Sequence, residues 1–253
     1  MTWQKAVAKY RGVGQYRGIR GTNEEISTRA YTLPYIHVCG RNNSNYNQCI
    51  MDNVNNVRDE ICKRSPEFKF PQLEPFIIDK IVIFDEPSIK LYLENVKCYT
   101  FCDFVINSVH TDLDKLQFNF DIVYNMNSTS SYVLEVHLLV PIVHKGKCQI
   151  LTNNIKLQES LDLNVITKNS KKHIYALKAN TNIDFKDFDY KFDENEIKLV
   201  QLHEIINNIV NNNKQIIIDK IIPVFEKKFS EIFIQLFNDI TQSNYKEFFP
   251  EEI

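Results

Sequence analysis

The chain has 253 residues, 43% of them hydrophobic and 25% charged, with a formal net charge of −2. That length suits one large domain or two small ones with a substantial core, and so small a net charge gives no global electrostatic case for nucleic acid. Only 6 glycines leave little room for glycine-rich phosphate loops, and no stretch approaches 18 uninterrupted apolar residues, so no transmembrane helix is expected.

Residues 1–32 differ from the rest. They hold Lys5, Lys9, Arg11, Arg17, Arg20 and Arg29 against Glu24 and Glu25, and four of the glycines, Gly12, Gly14, Gly18 and Gly21. They carry no apolar core of a signal peptide. They read as a disordered basic tail, or as an artefactual N-terminus standing where a signal sequence belongs. A nucleic-acid or membrane-surface arm is the competing reading.

From residue 33 the pattern is regular. Gln48–Cys62 reads as a helix, with Ile50, Val54, Val57 and Ile61 at steps of four and three. Pro66, Pro71 and Pro75 then enforce an extended passage. Period-two alternation follows: Ile81 and Ile83; Ile89, Leu91 and Leu93; Leu116, Phe118, Phe120, Ile122 and Tyr124; Tyr132, Leu134, Val136, Leu138 and Val140. It continues more weakly at Leu161, Leu163 and Val165, then Ile174, Ala176 and Lys178. Polar clusters place turns at Asn125–Ser131, His144–Gly146 and Thr167–Lys172. Strands that bury one face and are joined by hairpin-length turns predict an antiparallel sheet.

A final helical region spans about Glu194 to Ile240, with Asn211, Asn212 and Asn213 separating a short helix from a long one and serving as a cap. Within Lys214–Ile240 a stripe of Ile218, Ile222, Phe225, Phe229, Ile232, Leu236 and Ile240 is widened by Ile221, Phe233 and Phe237. At ~1.5 Å per residue this helix is about 40 Å long, and Pro223 is expected to kink it or to sit where it bends around the sheet. So long a helix with so wide an apolar face needs something that wraps it, and a curved sheet around it can leave an elongated apolar cavity.

The residues show no catalytic constellation. None of His37, His110, His137, His144, His173 and His203 has a second ligand at metal spacing. G-x-S-x-G, P-loop and G-x-G-x-x-G patterns are all missing. No metal and no cofactor are expected. The carboxylate pairs Asp112/Asp114 and Asp187/Asp189 read as solvent-facing. Of the six cysteines, Cys98 and Cys102 would lie about 13 Å apart on one strand, too far for a disulfide, and read as thiols. Cys62 and Cys148 have no assignable partner, and a bridge between them is left open.

Several segments, in order, resemble the takeout and juvenile-hormone-binding protein family of insects. They are Leu33-Pro34 with Cys39 and Cys49 after it; Phe70-Pro71-Gln72-Leu73-Glu74-Pro75-Phe76; Leu93-Glu94-Asn95-Val96-Lys97; Leu113-Asp114-Lys115-Leu116-Gln117-Phe118-Asn119-Phe120; and Tyr245-Lys246-Glu247-Phe248-Phe249-Pro250. The resemblance implies an α+β, tubular lipid-binding fold over residues 33–253, with a long C-terminal helix wrapped by a highly curved antiparallel sheet around an apolar tunnel. It also implies a Cys39–Cys49 disulfide, secretion into haemolymph or chemosensory fluid, and a monomeric carrier. The ligand would be juvenile hormone, another terpenoid, a fatty acid or a quinone-like lipid.

The expected tunnel lining is Phe76, Ile83, Leu91, Leu93, Phe118, Phe120, Tyr132, Leu134, Val136, Ile222, Phe225, Phe229 and Phe233, with the Tyr132 hydroxyl orienting the ligand's polar end. Asn42 and Asn127 head N-glycosylation triplets. A membrane-surface module using the basic tail, with transient membrane contact, and a lipid-ester hydrolase are the alternatives. The missing nucleophile motif argues against the hydrolase.

Overall fold

The computed structural model describes residues 37–62, 73–137, 141–168, 170–193, 200–241 and 250. In chain order the elements are α1 (Tyr46–Cys62), β1 (Phe76–Glu86), β2 (Ile89–Tyr99), a 3-10 turn (Phe101–Asp103), β3 (Val105–Asp112), β4 (Gln117–His137), β5 (Pro141–Lys168), β6 (Lys171–Asp184), β7 (Asp189–Phe192), α2 (Val200–Asn212) and α3 (Lys214–Ile240). The strands form one seven-stranded sheet along the path β1-β2-β4-β5-β6, which does not close on itself, and every pairing in it is antiparallel.

Two long strands organise the sheet. β4 pairs β3 through Gln117–Val123 and β2 through Asn127–Val136 on one edge. Its other edge pairs β5 from Gln117↔Asp162 to His137↔Pro141. β5 in turn carries β6 along Lys156–Lys168 and β7 along Cys148–Leu151. α3 lies chiefly against β6, with β1 and β5 as further contacts, and α1 lies against β3 and the 3-10 turn. The stripe on α3 buries Ile217, Ile218, Ile221, Phe225, Phe229 and Ile232, as its helical period requires.

Several local expectations are corrected. Asn125–Ser131 is not a turn but the middle of β4, because both strand edges are paired there and the polar side chains find partners. The Ser128 hydroxyl donates to the Ile150 carbonyl at 3.4 Å, Ser130 lies 3.1 Å from Cys148 Sγ, and Asn127 accepts from Gln149 at 3.0 Å. His144–Gly146 is likewise inside β5. Gly146 marks a close approach rather than a turn, since a Cβ there would stand 2.8 Å from the Tyr132 hydroxyl. Only the Thr167–Lys172 expectation falls at a hairpin, between β5 and β6.

Asn213 separates α2 from α3 as expected, but makes no side-chain cap to α3; its amide donates back to the Ile209 carbonyl of α2 at 2.7 Å. α3 runs unbroken through Pro223, which is exposed. The carbonyl that proline leaves without a helical donor is that of Asp219, also exposed, where water can take the place of the missing N–H.

The cysteine reading changes most. Cys39–Cys49 is formed, with Cα atoms 5.9 Å apart, and Cys102 is no free thiol but bridges Cys62, with Cα atoms 6.0 Å apart. The strand estimate fails for Cys102 because β2 ends at Tyr99 and Thr100 turns the chain with φ 64°. Cys148 therefore does not pair with Cys62; it and Cys98 are buried thiols, and burial pushes Cys98 up to about 12, which leaves it unreactive. The basic tail, Pro66 and Pro71, Leu138 and Val140, and the terminal Tyr245–Pro250 motif other than Pro250 lie outside the described residues.

Candidate functional site: an apolar cavity beside the long helix

The site begins with how α1 is fastened. Cys39–Cys49 ties the preceding segment to its first turns, and Cys62–Cys102 ties its last residue to the 3-10 turn. That turn is itself fixed by Glu74, whose carboxylate accepts from the Thr100 N–H at 2.6 Å and the Cys102 N–H at 3.4 Å. Between these ends the Asn47 side chain accepts from the Thr111 N–H at 3.1 Å and from its hydroxyl at 2.7 Å. Arg58 donates to the Phe104 carbonyl at 3.0 Å, with its guanidinium 5.7 Å from the Phe104 ring centre. Asn53 exchanges hydrogen bonds with the His37 backbone.

Under this anchored helix lies a partly open cavity of about 180 Å³. Its walls are Ile50, Val54 and Val57 of α1; Ile106 of β3; Phe118, Phe120 and Ile122 of β4; Leu161 of β5; and Ile232, Phe233, Leu236, Phe237 and Ile240 of α3. Cys39, Leu73, Phe101 and Phe104 complete the apolar surface, and His37, Asn53, Arg58 and Thr241 supply the polar groups. The Thr241 hydroxyl is committed to the Phe237 carbonyl at 2.8 Å.

The cavity ends against a block of aromatic rings. Phe229 lies 4.9 Å from Phe101, 5.3 Å from Phe76, 5.8 Å from Tyr124 and 6.3 Å from Phe225, centre to centre. These separations are those of packed aromatic pairs.

Phe118, Phe120 and Phe233 of the expected lining border the cavity. Phe76, Phe225 and Phe229 belong to the aromatic block, while Ile83, Leu91, Leu93 and Leu134, with half-buried Val136 and Ile222, pack in the same core farther along the sheet. Tyr132 is also there, 1% exposed, its hydroxyl 3.0 Å from His144 Nδ1 and its ring 5.0 Å from that of Phe192. The α1 contribution went unassigned to a site although its Ile50/Val54/Val57 stripe has the same spacing as the stripe on α3. Ile106 went unseen because β3 shows no clear alternation. Of the two glycosylation candidates, Asn42 is exposed in a turn and Asn127 is inside β4.

One carboxylate among the described residues is buried on the cavity side of the sheet. Glu159 of β5 is 1% exposed. Its Oε2 accepts from the Thr181 hydroxyl at 2.5 Å, and Thr181 in turn lies 2.7 Å from the Ser230 hydroxyl of α3. Burial pushes the carboxyl up from 4.5 to about 7, against the Thr181 hydrogen bond, which pulls it down.

A family model described as haemolymph juvenile hormone binding protein matches residues 22–250, a span that includes part of the segment ahead of residue 33. Among curated proteins none matches by sequence. Among solved structures, Epiphyas postvittana Takeout 1 superposes with a TM-score of 0.67 at 17% identity, covering 84% of this chain and 99% of that one. A lipopolysaccharide binding protein gives a TM-score of 0.36 at 11% identity, covering 74% of this chain and 39% of that one. The open antiparallel sheet with its long C-terminal helix is thus the takeout-type, tubular lipid-binding fold, and the chain belongs to the haemolymph juvenile hormone binding protein family.

Proposed function

We propose that this protein is a non-enzymatic carrier of a small hydrophobic ligand, a terpenoid such as juvenile hormone, a fatty acid or a quinone-like lipid, held between α1, β4 and α3. The observation that carries the reading is the cavity itself, walled by aliphatic and aromatic side chains from two helices and three strands with polar groups only at a few points. Such a surface binds by removing apolar ligand area from water, at about 25 cal/mol per Å². At about 180 Å³ the cavity falls below the ~300–1,000 Å³ of pockets that enclose drug-sized ligands. A ligand of terpenoid length therefore enters by turning aside the Phe104, Phe120 and Phe233 rings.

Two disulfides support passage through an oxidising compartment and hence secretion, with any glycan on exposed Asn42 rather than on Asn127. Native mass spectrometry of the purified chain, before and after lipid extraction and reloading with a terpenoid, tests the reading. Stoichiometric uptake by the wild type and a loss of tenfold or more in Leu236→Asp, with circular dichroism unchanged, is the expected result. Equal uptake by the variant would remove the cavity from the ligand site.

A further inference from the structure

Resting on the cavity as the ligand site, we propose that Glu159 forms its polar end and selects a ligand whose apolar chain terminates in an uncharged oxygen, an alcohol, ketone or ester, over a hydrocarbon or a carboxylate.

Glu159 is the one carboxylate among the described residues that is fully buried. Half of it is satisfied, since Oε2 takes the Thr181 hydroxyl, while Oε1 has no hydrogen-bond partner among them. Buried polar atoms are rarely left so, because the lost hydration is not replaced.

Glu159 is not itself part of the cavity wall, but its neighbours on the same face are. Glu159 is the cross-strand partner of Phe120, and in an antiparallel pair those side chains share a face. Leu161, two residues on along the same face, is about 7 Å away at ~3.3 Å per residue. Phe233 is three residues past Ser230 on α3, so the two share a helix face. Phe120, Leu161 and Phe233 all line the cavity, so a chain lying along them and turning aside the Phe120 or Phe233 ring ends at Glu159.

The chemistry of that end follows from the proton. With its carboxyl pushed up to about 7 by burial, Glu159 holds a proton in a substantial share of the molecules near neutrality. Oε2 is already an acceptor, so the proton resides on Oε1 and is donated to whatever oxygen arrives. A hydroxyl, ketone or ester oxygen accepts it. A hydrocarbon leaves it bare, and a carboxylate brings a negative charge into a buried site beside a carboxyl that is itself ionised in part of the molecules at neutral pH. Glu226, the neighbouring acid on α3, is occupied by the Ile183 N–H at 3.0 Å.

The test is displacement of a fluorescent apolar probe from the full chain at pH 7.5 by farnesol, farnesene and farnesoic acid. The expected order is farnesol at least tenfold tighter than farnesene, and farnesoic acid weaker than farnesol. In Glu159→Leu the farnesol–farnesene gap should fall below threefold. In Glu159→Gln, which keeps a donor and removes the charge, the farnesol preference should survive and farnesoic acid should gain up to about fourfold, the most that a carboxyl titrating at about 7 imposes at pH 7.5.

A purely structural role would move all three affinities together and leave their ratios alone, which would overturn the proposal. So would equal binding of farnesol and farnesene by the wild type, or no gain for farnesoic acid in Glu159→Gln. A crystal structure of the farnesol complex showing only water on Oε1 would overturn it as well. If none of the three displaces the probe, the cavity is not the ligand site and both readings fall; if all bind alike, only this one does.

Discussion

The two halves of α3 carry the same apolar period and pack in opposite ways. Around Phe225 and Phe229 the helix meets Phe76, Phe101 and Tyr124, and the rings close the space so completely that Phe229 is 0% exposed. From Ile232 to Ile240 the same stripe faces a cavity. The difference lies in what comes to meet the helix. At the filled end, strands and the 3-10 turn deliver large rings onto it. At the open end the covering element is α1, held to β3 and the 3-10 turn by its disulfide and hydrogen bonds. Those bonds keep α1 on the sheet side, and the gap to α3 is left for something else. A helix stripe therefore says which face is buried, and the opposing layer decides whether that burial leaves room for a ligand.

Breaking the filled end should have the largest effect. Phe229→Ala removes a ring packed on all sides and should lower stability by roughly 3–5 kcal/mol, read as a shift in urea unfolding. A loss below about 1 kcal/mol would mean the block is loosely packed.

The anchor of the open end comes next. Replacing Cys62 and Cys102 together by Ser opens a 40-residue separation, which the chain-entropy model rates at about 4 kcal/mol, commonly an upper figure. The Cys39–Cys49 loop, with a separation of 10, rates about 3 kcal/mol. Thermal unfolding of the two double variants should rank them in that order. The reverse ranking would show that α1 is secured chiefly at its first turns.

Glu159 sharpens the comparison by pH. Its carboxyl is raised in the folded chain from 4.5 to about 7, so the folded state holds the proton more tightly than the unfolded one. The associated stability is fully present below about pH 4.5 and is lost as pH rises through about 7, a change on the order of 3 kcal/mol. Unfolding free energies of wild type and Glu159→Gln, measured from pH 4.5 to 8, should diverge by that amount. Parallel curves would place the carboxyl in water.

The smallest stability effect belongs to the open end. Leu236→Ala, at a half-buried wall that already borders empty space, should cost about 2 kcal/mol, the low end for such truncations, while enlarging the cavity and admitting longer ligands. A loss as large as that of Phe229→Ala would mean the cavity is filled in solution.

Much of this was legible in the residues. The alternating strands, the helical stripes of α1 and α3 and the break at Asn213 are period-two and period-3.6 signals, and α3 runs over the very residues, Lys214–Ile240, that its stripe marks. Local period carries no information about which element faces which. Leu134 and Phe120 obey the same alternation on one strand, yet one lies in closed core and the other on the cavity wall. Gly146 and Ser128 look like turn residues in isolation, but pairing on both edges of β4 and β5 made strand the better place for their backbone groups. Cys102 found Cys62 because Thr100 turns the chain where a strand would have run on.

The sequence by itself determined the helices α1 and α3, most of the alternating strand segments, the sheet's antiparallel character and the buried face of the long helix, since these follow from spacing within single segments. Only the tertiary structure decided where the cavity lies, how Cys62 is paired and that Glu159 is left with a bare oxygen. Each of those depends on a distance between segments 40 or more residues apart or on different layers, and such distances are set by the packing of the whole chain.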